Sequence, residues 1–197
     1  MPQIPPLPIH DVPLPYVERL QARTLDAIDL AVIHCTELPD LASARAYGER
    51  VLYASGTGNS GHFYIDRDGS VHQYVPLQRV AHHVRGYNAQ SLGIELVNRG
   101  RYPHWLDSRH QAMHERYPPA QIQALIALLQ QVQAELPQLR HIAGHDALDR
   151  SRETASDDPA RQVQRKLDPG PRFPWPQVLE AVALTPYAPS ADAPSDR

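Results

Sequence analysis

The chain has 197 residues, of which 42% are hydrophobic and 21% charged, and its formal net charge is −3. This length buries a full core, and the balance excludes a disordered composition and a basic nucleic-acid-binding surface. No apolar run reaches the ~18 residues of a membrane span, and Cys35, the only cysteine, leaves no internal disulfide to form.

In chain order, residues 1–15 are a Pro-rich segment expected to be extended or disordered rather than packed. They hold no early Lys or Arg and no apolar core, so they do not read as a signal peptide, and a cytoplasmic location is expected. Residues 14–25 suit a short helix or turn. Residues 29–34 are apolar and β-branched, the pattern of a buried strand. Pro39 opens a helical pattern with Leu41, Ala44, Tyr47, Val51 and Leu52 at helical spacing and Gly56 as its stop. Residues 62–65 and 71–75 flank Asp66-Arg67-Asp68-Gly69-Ser70, a hairpin signal. Residues 91–97 predict another strand. Pro118-Pro119 then introduces the strongest helix, where Ile122, Leu125, Ile126, Leu129, Val132 and Leu136 form one apolar stripe. Residues 141–145 predict a short strand and 175–182 a last helix, while 185–197 read as a disordered tail. The order predicts one α/β domain over residues 16–184, a central mixed β-sheet flanked by a few helices.

His34 and His145 each close a strand, and sites in open sheets assemble at strand ends. In a chain with 11 histidines, such a pair alone is more often surface or core than a shared metal site. Lys166-Leu167-Asp168 adds a third element. Pro169-Gly170-Pro171 holds its backbone extended, so Lys166 and Asp168 share a face. Two readings stand: a surface ion pair, or a His/His/Asp set with an open fourth position, the pattern of catalytic zinc, beside a cation. Lys166 is the only lysine in the chain. Cys35 follows His34 on the strand, points to the opposite face, and reads as core. Glu95 interrupts an apolar strand between Ile94 and Leu96. It is either an edge residue facing water or a carboxylate facing the metal, placed to act as a base. Gly56-Thr57-Gly58-Asn59-Ser60-Gly61 fits the dinucleotide fingerprint but follows a helix and precedes a strand, the reverse of what that fold needs. His110 and His114 have helical metal spacing without the Glu of a zinc-protease motif, and read as exposed.

In order and spacing, several segments resemble the zinc N-acetylmuramoyl-L-alanine amidases of the AmpD-like type, a superfamily shared with peptidoglycan recognition proteins and phage amidase lysozymes. They are Ala31-Val32-Ile33-His34-Cys35-Thr36, Gly61-His62-Phe63-Tyr64-Ile65-Asp66-Arg67-Asp68-Gly69, Ala81-His82-His83, Gly86-Tyr87-Asn88, Ser91-Leu92-Gly93-Ile94-Glu95-Leu96, Gly144-His145-Asp146 and Arg165-Lys166-Leu167-Asp168-Pro169-Gly170-Pro171. The resemblance implies a peptidoglycan-recognition-protein-like fold and one zinc ion on His34, His145 and Asp168. It implies Glu95 as catalytic acid and base, Lys166 at the transition state, and His83 and Asn88 along the substrate groove. Residues 146–165 are longer than the loop usual in the family and read as a solvated loop bordering the groove; they leave Asp146, Asp149, Asp157 and Asp158 as competitors for third ligand. The implied partner is peptidoglycan, as fragments or intact wall, and the implied reaction is hydrolysis of the amide between N-acetylmuramic acid and L-alanine. Asn98-Arg99-Gly100 and Phe173-Pro174-Trp175 are closest to envelope-associated members, which sets a cell-envelope location against the cytoplasmic one. The rival from another class is a non-catalytic peptidoglycan-binding module.

Overall fold

A computed structural model of the chain describes residues 7–187 and 189. The apolar run after Asp29 becomes β2 (Leu30–Cys35), buried at every position, as a strand covered on both faces must be. Parallel to it on either side run β5 (Ser91–Leu96) and β6 (His141–Gly144). Beyond β5 lies β3 (Phe63–Ile65), and β4 (Val71–Gln73) returns antiparallel to it through a turn in which Gly69 takes φ 90. With β1 (Ile9–Asp11) and β9 (Thr185–Pro186) at the edges, the seven strands run in the order β1-β4-β3-β5-β2-β6-β9.

One face of this sheet is covered by α2 (Pro119–Glu135), whose Ile122, Leu125, Leu128, Leu129 and Val132 share a core with Ile33, Ile94 and Leu96. Fully burying each such side chain stabilises the fold by about 1.5–3 kcal/mol. Gln121 fixes the start of the helix by donating its Nε2 hydrogens to the carbonyls of Ile65 (2.9 Å) and Val97 (3.1 Å). Val178 of α4 (Trp175–Ala181) joins the same core. Side chains alternate along strands, so His34 and Glu95 face away from α2. There α1 (Leu41–Gly48), capped by the Asp40 carboxylate on the Ser43 N–H (2.7 Å), packs Ala44 beside Leu14, Tyr16 and Val17. Among the described residues no helix is long and apolar enough to cross a membrane.

Several expectations change. Residues 14–25 form two separate single turns, Val17–Arg19 and Leu25–Ala27, rather than one helix. The α1 pattern stops at Gly48, and Val51 and Leu52 stand 58% and 51% exposed. The Pro-rich ends are extended, as expected, and where they are described they hydrogen-bond to neighbouring backbone rather than hang free. Val12 and Leu14 donate their N–H groups to Gln73 and Tyr74, with Pro13 between them. Thr185 and Tyr187 donate to Arg140 and Ile142, with Pro186 between. An edge strand uses only every second N–H, so proline fits the alternate positions at no cost in ladder bonds. The rest of the tails expected to be disordered, residues 1–6, 188 and 190–197, lies outside the described residues. The expected loop at 146–165 instead carries a two-stranded hairpin, β7 (Arg152–Thr154) with β8 (Gln162–Gln164), burying Ala155 and Val163.

Candidate metal centre

Strand register assembles the site. Parallel pairing sets His34 of β2 directly beside Glu95 of β5, and Ile33 beside Gly144 of β6. His145, the first residue of α3 (His145–Leu148), therefore emerges next to His34. Asp168 comes from the far side, its backbone held where its carbonyl accepts the Asp146 N–H (3.0 Å) and the Pro169 carbonyl accepts the Tyr117 hydroxyl (2.7 Å). Asp168 Oδ2 lies 3.0 Å from His34 Nδ1 and 3.1 Å from His145 Nδ1. All three residues are buried, and one ligand-type atom from each falls within 4.8 Å of the others, so they form a triad able to hold a metal ion. None of the competing aspartates joins the triad. Asp149 pairs with Arg165, Asp157 accepts from Ser108, Asp158 pairs with Arg161, and Asp146 meets Asp168 through its backbone N–H.

The hydrogen bonds around the triad leave a place that fits a cation. The Ser91 hydroxyl donates to the Tyr87 carbonyl (2.7 Å), so it accepts from His83 Nε2 (3.2 Å). Burial, then the neighbouring His34 and His62, keep the His83 imidazole well below its usual range and hence neutral. Its Nδ1 is then bare and accepts from His34 Nε2 at 3.0 Å. That leaves His34 Nδ1 as a lone pair aimed at a carboxylate oxygen 3.0 Å away. Two acceptors at that separation repel unless a cation lies between them. His145 Nε2 and Asp168 Oδ1 are also buried without a hydrogen-bond partner. The donor set of two imidazoles and one carboxylate, with no thiolate, suits catalytic rather than structural zinc. Burial would raise the Asp168 carboxyl, but His145 and, more weakly, the Lys166 ammonium pull it the other way, to below the usual carboxylate range.

Glu95 is an interior residue, not an edge one, and its Oε1 stands 4.0 Å from His34 Nδ1. Burial, then the Asp168 charge, push its carboxyl up from 4.5 to about 8. Gly61 makes room for it, since a Cβ there would lie 2.8 Å from Glu95 Cγ. His34, Glu95, His145, Lys166, Asp168 and Asn88 all line one cavity of about 510 Å³. His83 borders it too, but both its ring nitrogens are engaged, by His34 and Ser91. Asn88 gives its Oδ1 to the N–H groups of His83 (3.0 Å) and Val84 (2.8 Å), so a ligand contact there falls to its Nδ2. Cys35 is buried, and His110 and His114 are exposed, as expected. Sequence reasoning missed Ser91, Glu37 and Arg101. The only signal for the last was its place beside Asn98-Arg99-Gly100, and nothing local pairs it with a residue 64 positions away.

These features define a mixed-sheet domain with a buried triad able to hold a metal ion at the floor of a groove. Residues 24–171 match the family described as N-acetylmuramoyl-L-alanine amidase, Amidase_2, and the chain belongs to that family. It is 39% identical over 116 residues to the N-acetylmuramoyl-L-alanine amidase AmiD of Escherichia coli strain K12, covering 55% of this chain and 36% of AmiD. It is 30% identical over 135 residues to the 1,6-anhydro-N-acetylmuramyl-L-alanine amidase AmpD of Salmonella typhimurium strain SL1344, covering 64% of this chain and 58% of AmpD. The matched region thus spans less than two thirds of the length of either relative. A solved structure of E. coli AmiD, in complex with anhydro-N-acetylmuramic acid-L-Ala-D-gamma-Glu-L-Lys, superposes with a TM-score of 0.60 at 28% identity, covering 82% of this chain and 60% of that one.

Proposed function

We propose that the chain is an N-acetylmuramoyl-L-alanine amidase that, with one zinc ion on His34, His145 and Asp168, hydrolyses the amide between N-acetylmuramic acid and L-alanine in peptidoglycan or its fragments. The observation that carries this reading is the approach of His34 Nδ1 and Asp168 Oδ2 to 3.0 Å with Glu95 alongside. Zinc in such a site supplies Lewis acidity and brings the pKa of water towards ~7. Glu95 takes the proton of the attacking water and delivers it to the leaving amine, acting first as base and then as acid. The Lys166 ammonium faces the charge that develops on the scissile carbonyl oxygen, and loss of such a contact typically costs ~100-fold or more in turnover. Asn88 Nδ2 contacts the substrate, whereas His83 serves by holding His34.

Incubating the zinc-loaded protein with a soluble anhydro-muropeptide and with purified sacculi tests the reading. Release of the peptide with a free L-alanine amine is expected. A protein that binds these substrates without cleaving them would be a recognition module instead. Preference for the soluble fragment would favour a cytoplasmic recycling role, and preference for sacculi an envelope one.

A further inference from the structure

Arg101 is 3% exposed, yet every N–H of its guanidinium has a partner. Nε donates to Glu37 Oε1 (2.7 Å) and Nη2 to Glu37 Oε2 (2.8 Å), a bidentate pair. The remaining three donors reach Gln111 Oε1 (3.1 Å), the Gln164 carbonyl (3.0 Å) and the Arg165 carbonyl (3.1 Å). Those two carbonyls immediately precede Lys166. Glu37 is itself held: it takes φ 49 in the turn after β2, its Oε1 accepts the Arg101 N–H (3.1 Å), and its carbonyl accepts the Trp105 indole N–H (3.1 Å). Gly100 admits the carboxylate, since a Cβ there would lie 2.6 Å from Glu37 Cγ.

We propose that Arg101, gripped by Glu37, is a positioning residue that delivers Lys166 into the groove; this rests on the role given to Lys166 above. Lys166 sits at the end of an excursion whose hairpin is largely exposed. Other contacts tie that excursion to itself, as Arg165 N–H to Ser151 O (2.9 Å), or hold its tip, as Asp157 to Ser108. Arg101 ties its last two residues to the loop that follows His34. Stability alone does not account for the pair, because buried ion pairs are often replaced by apolar residues without loss. Direction does: the planar fork serves five acceptors at once, both Glu37 oxygens, Gln111 Oε1 and two successive carbonyls, where a lysine ammonium, a single point charge, has three hydrogens.

Lys166 is the only lysine, so protein labelled with ¹⁵N-lysine gives one backbone amide signal, that of Lys166. In the unaltered chain its order parameter should be about 0.85; in Arg101→Lys, where the added lysine's amide is identified as the one signal left in Arg101→Lys/Lys166→Ala, that of Lys166 should fall below about 0.6. The double variant Glu37→Met/Arg101→Met removes both charges without stranding either, and should loosen the same amide in a folded protein. Both variants should lose up to ~100-fold in kcat on an N-acetylmuramoyl-L-alanyl peptide, with KM and zinc content little changed, and should lose nothing further in a Lys166→Ala background. A rigid Lys166 amide in both variants, or an equal kcat loss in the Lys166→Ala background, overturns the proposal. Full activity of Lys166→Ala alone would instead remove Lys166 from the chemistry, and the amide signal would still decide the clamp.

Discussion

His34 Nε2 stands 3.0 Å from His83 Nδ1, and that contact fixes which nitrogen of the His34 ring is left for a metal. The order of donors is set two steps away, by the Ser91 hydroxyl on the Tyr87 carbonyl. Partners of this kind orient ligand imidazoles and typically account for ~10–100-fold in metal affinity. His83→Ala should therefore weaken zinc binding by about that factor in a chelator-competition titration, with Ser91→Ala shifting it less in the same direction. Wild-type affinity in His83→Ala would remove the contact from the metal site.

Glu95→Gln keeps the shape of the side chain and removes its proton chemistry. Zinc content should be unchanged and turnover should fall by ~10²–10⁴-fold, the usual contribution of a positioned acid–base group. Retained turnover in this variant would exclude Glu95 as the base.

Gly61→Ala tests the same carboxylate from behind. The added Cβ would meet Glu95 Cγ at 2.8 Å and the Gly93 carbonyl at 3.2 Å. Overpacking of this kind costs about 1–3 kcal/mol, and it should lower turnover while leaving zinc affinity close to wild type. A stable variant with full turnover would show that the Glu95 side chain can move without consequence.

The strands β2 and β5 are legible because each is a largely apolar run and falls where the pattern places it; β6 is found as far as Gly144, but His145, expected to close that strand, opens α3 instead. The 3.6-residue stripe gives α2 in the same way. The edge strands β1 and β9 are not legible, because proline usually argues against a strand and only the pairing register reveals that its missing N–H is not needed. Sequence left Glu95 open between an edge position and one facing the metal. Its position beside His34 follows from register between two distant strands, which no local pattern encodes. His83 shows the same limit: its direction depends on Gly93, where a Cβ would lie 2.7 Å from its ring, and on Ser91.

Acid should destabilise the fold through histidines held neutral. Burial, then the Arg23 guanidinium, lower His62 from 6.5 to about 3. Below pH 6.5 the unfolded chain takes up a proton that the folded site refuses until about 3. The stability His62 contributes is thus complete above 6.5 and is lost as pH falls through that window, at up to ~1.4 kcal/mol per pH unit. Denaturant midpoints of His62→Gln, collected across this range, should fall less steeply with acid than those of the unaltered chain. Equal slopes would contradict the assignment.

The most direct test of the central claim is a zinc titration of the metal-stripped chain, followed by release of peptide from an N-acetylmuramoyl-L-alanyl substrate. Activity should rise to a plateau at one equivalent of zinc, and His34→Ala should show neither binding nor activity. Full cleavage without metal, or zinc bound tightly by His34→Ala, would contradict a catalytic centre built on His34, His145 and Asp168.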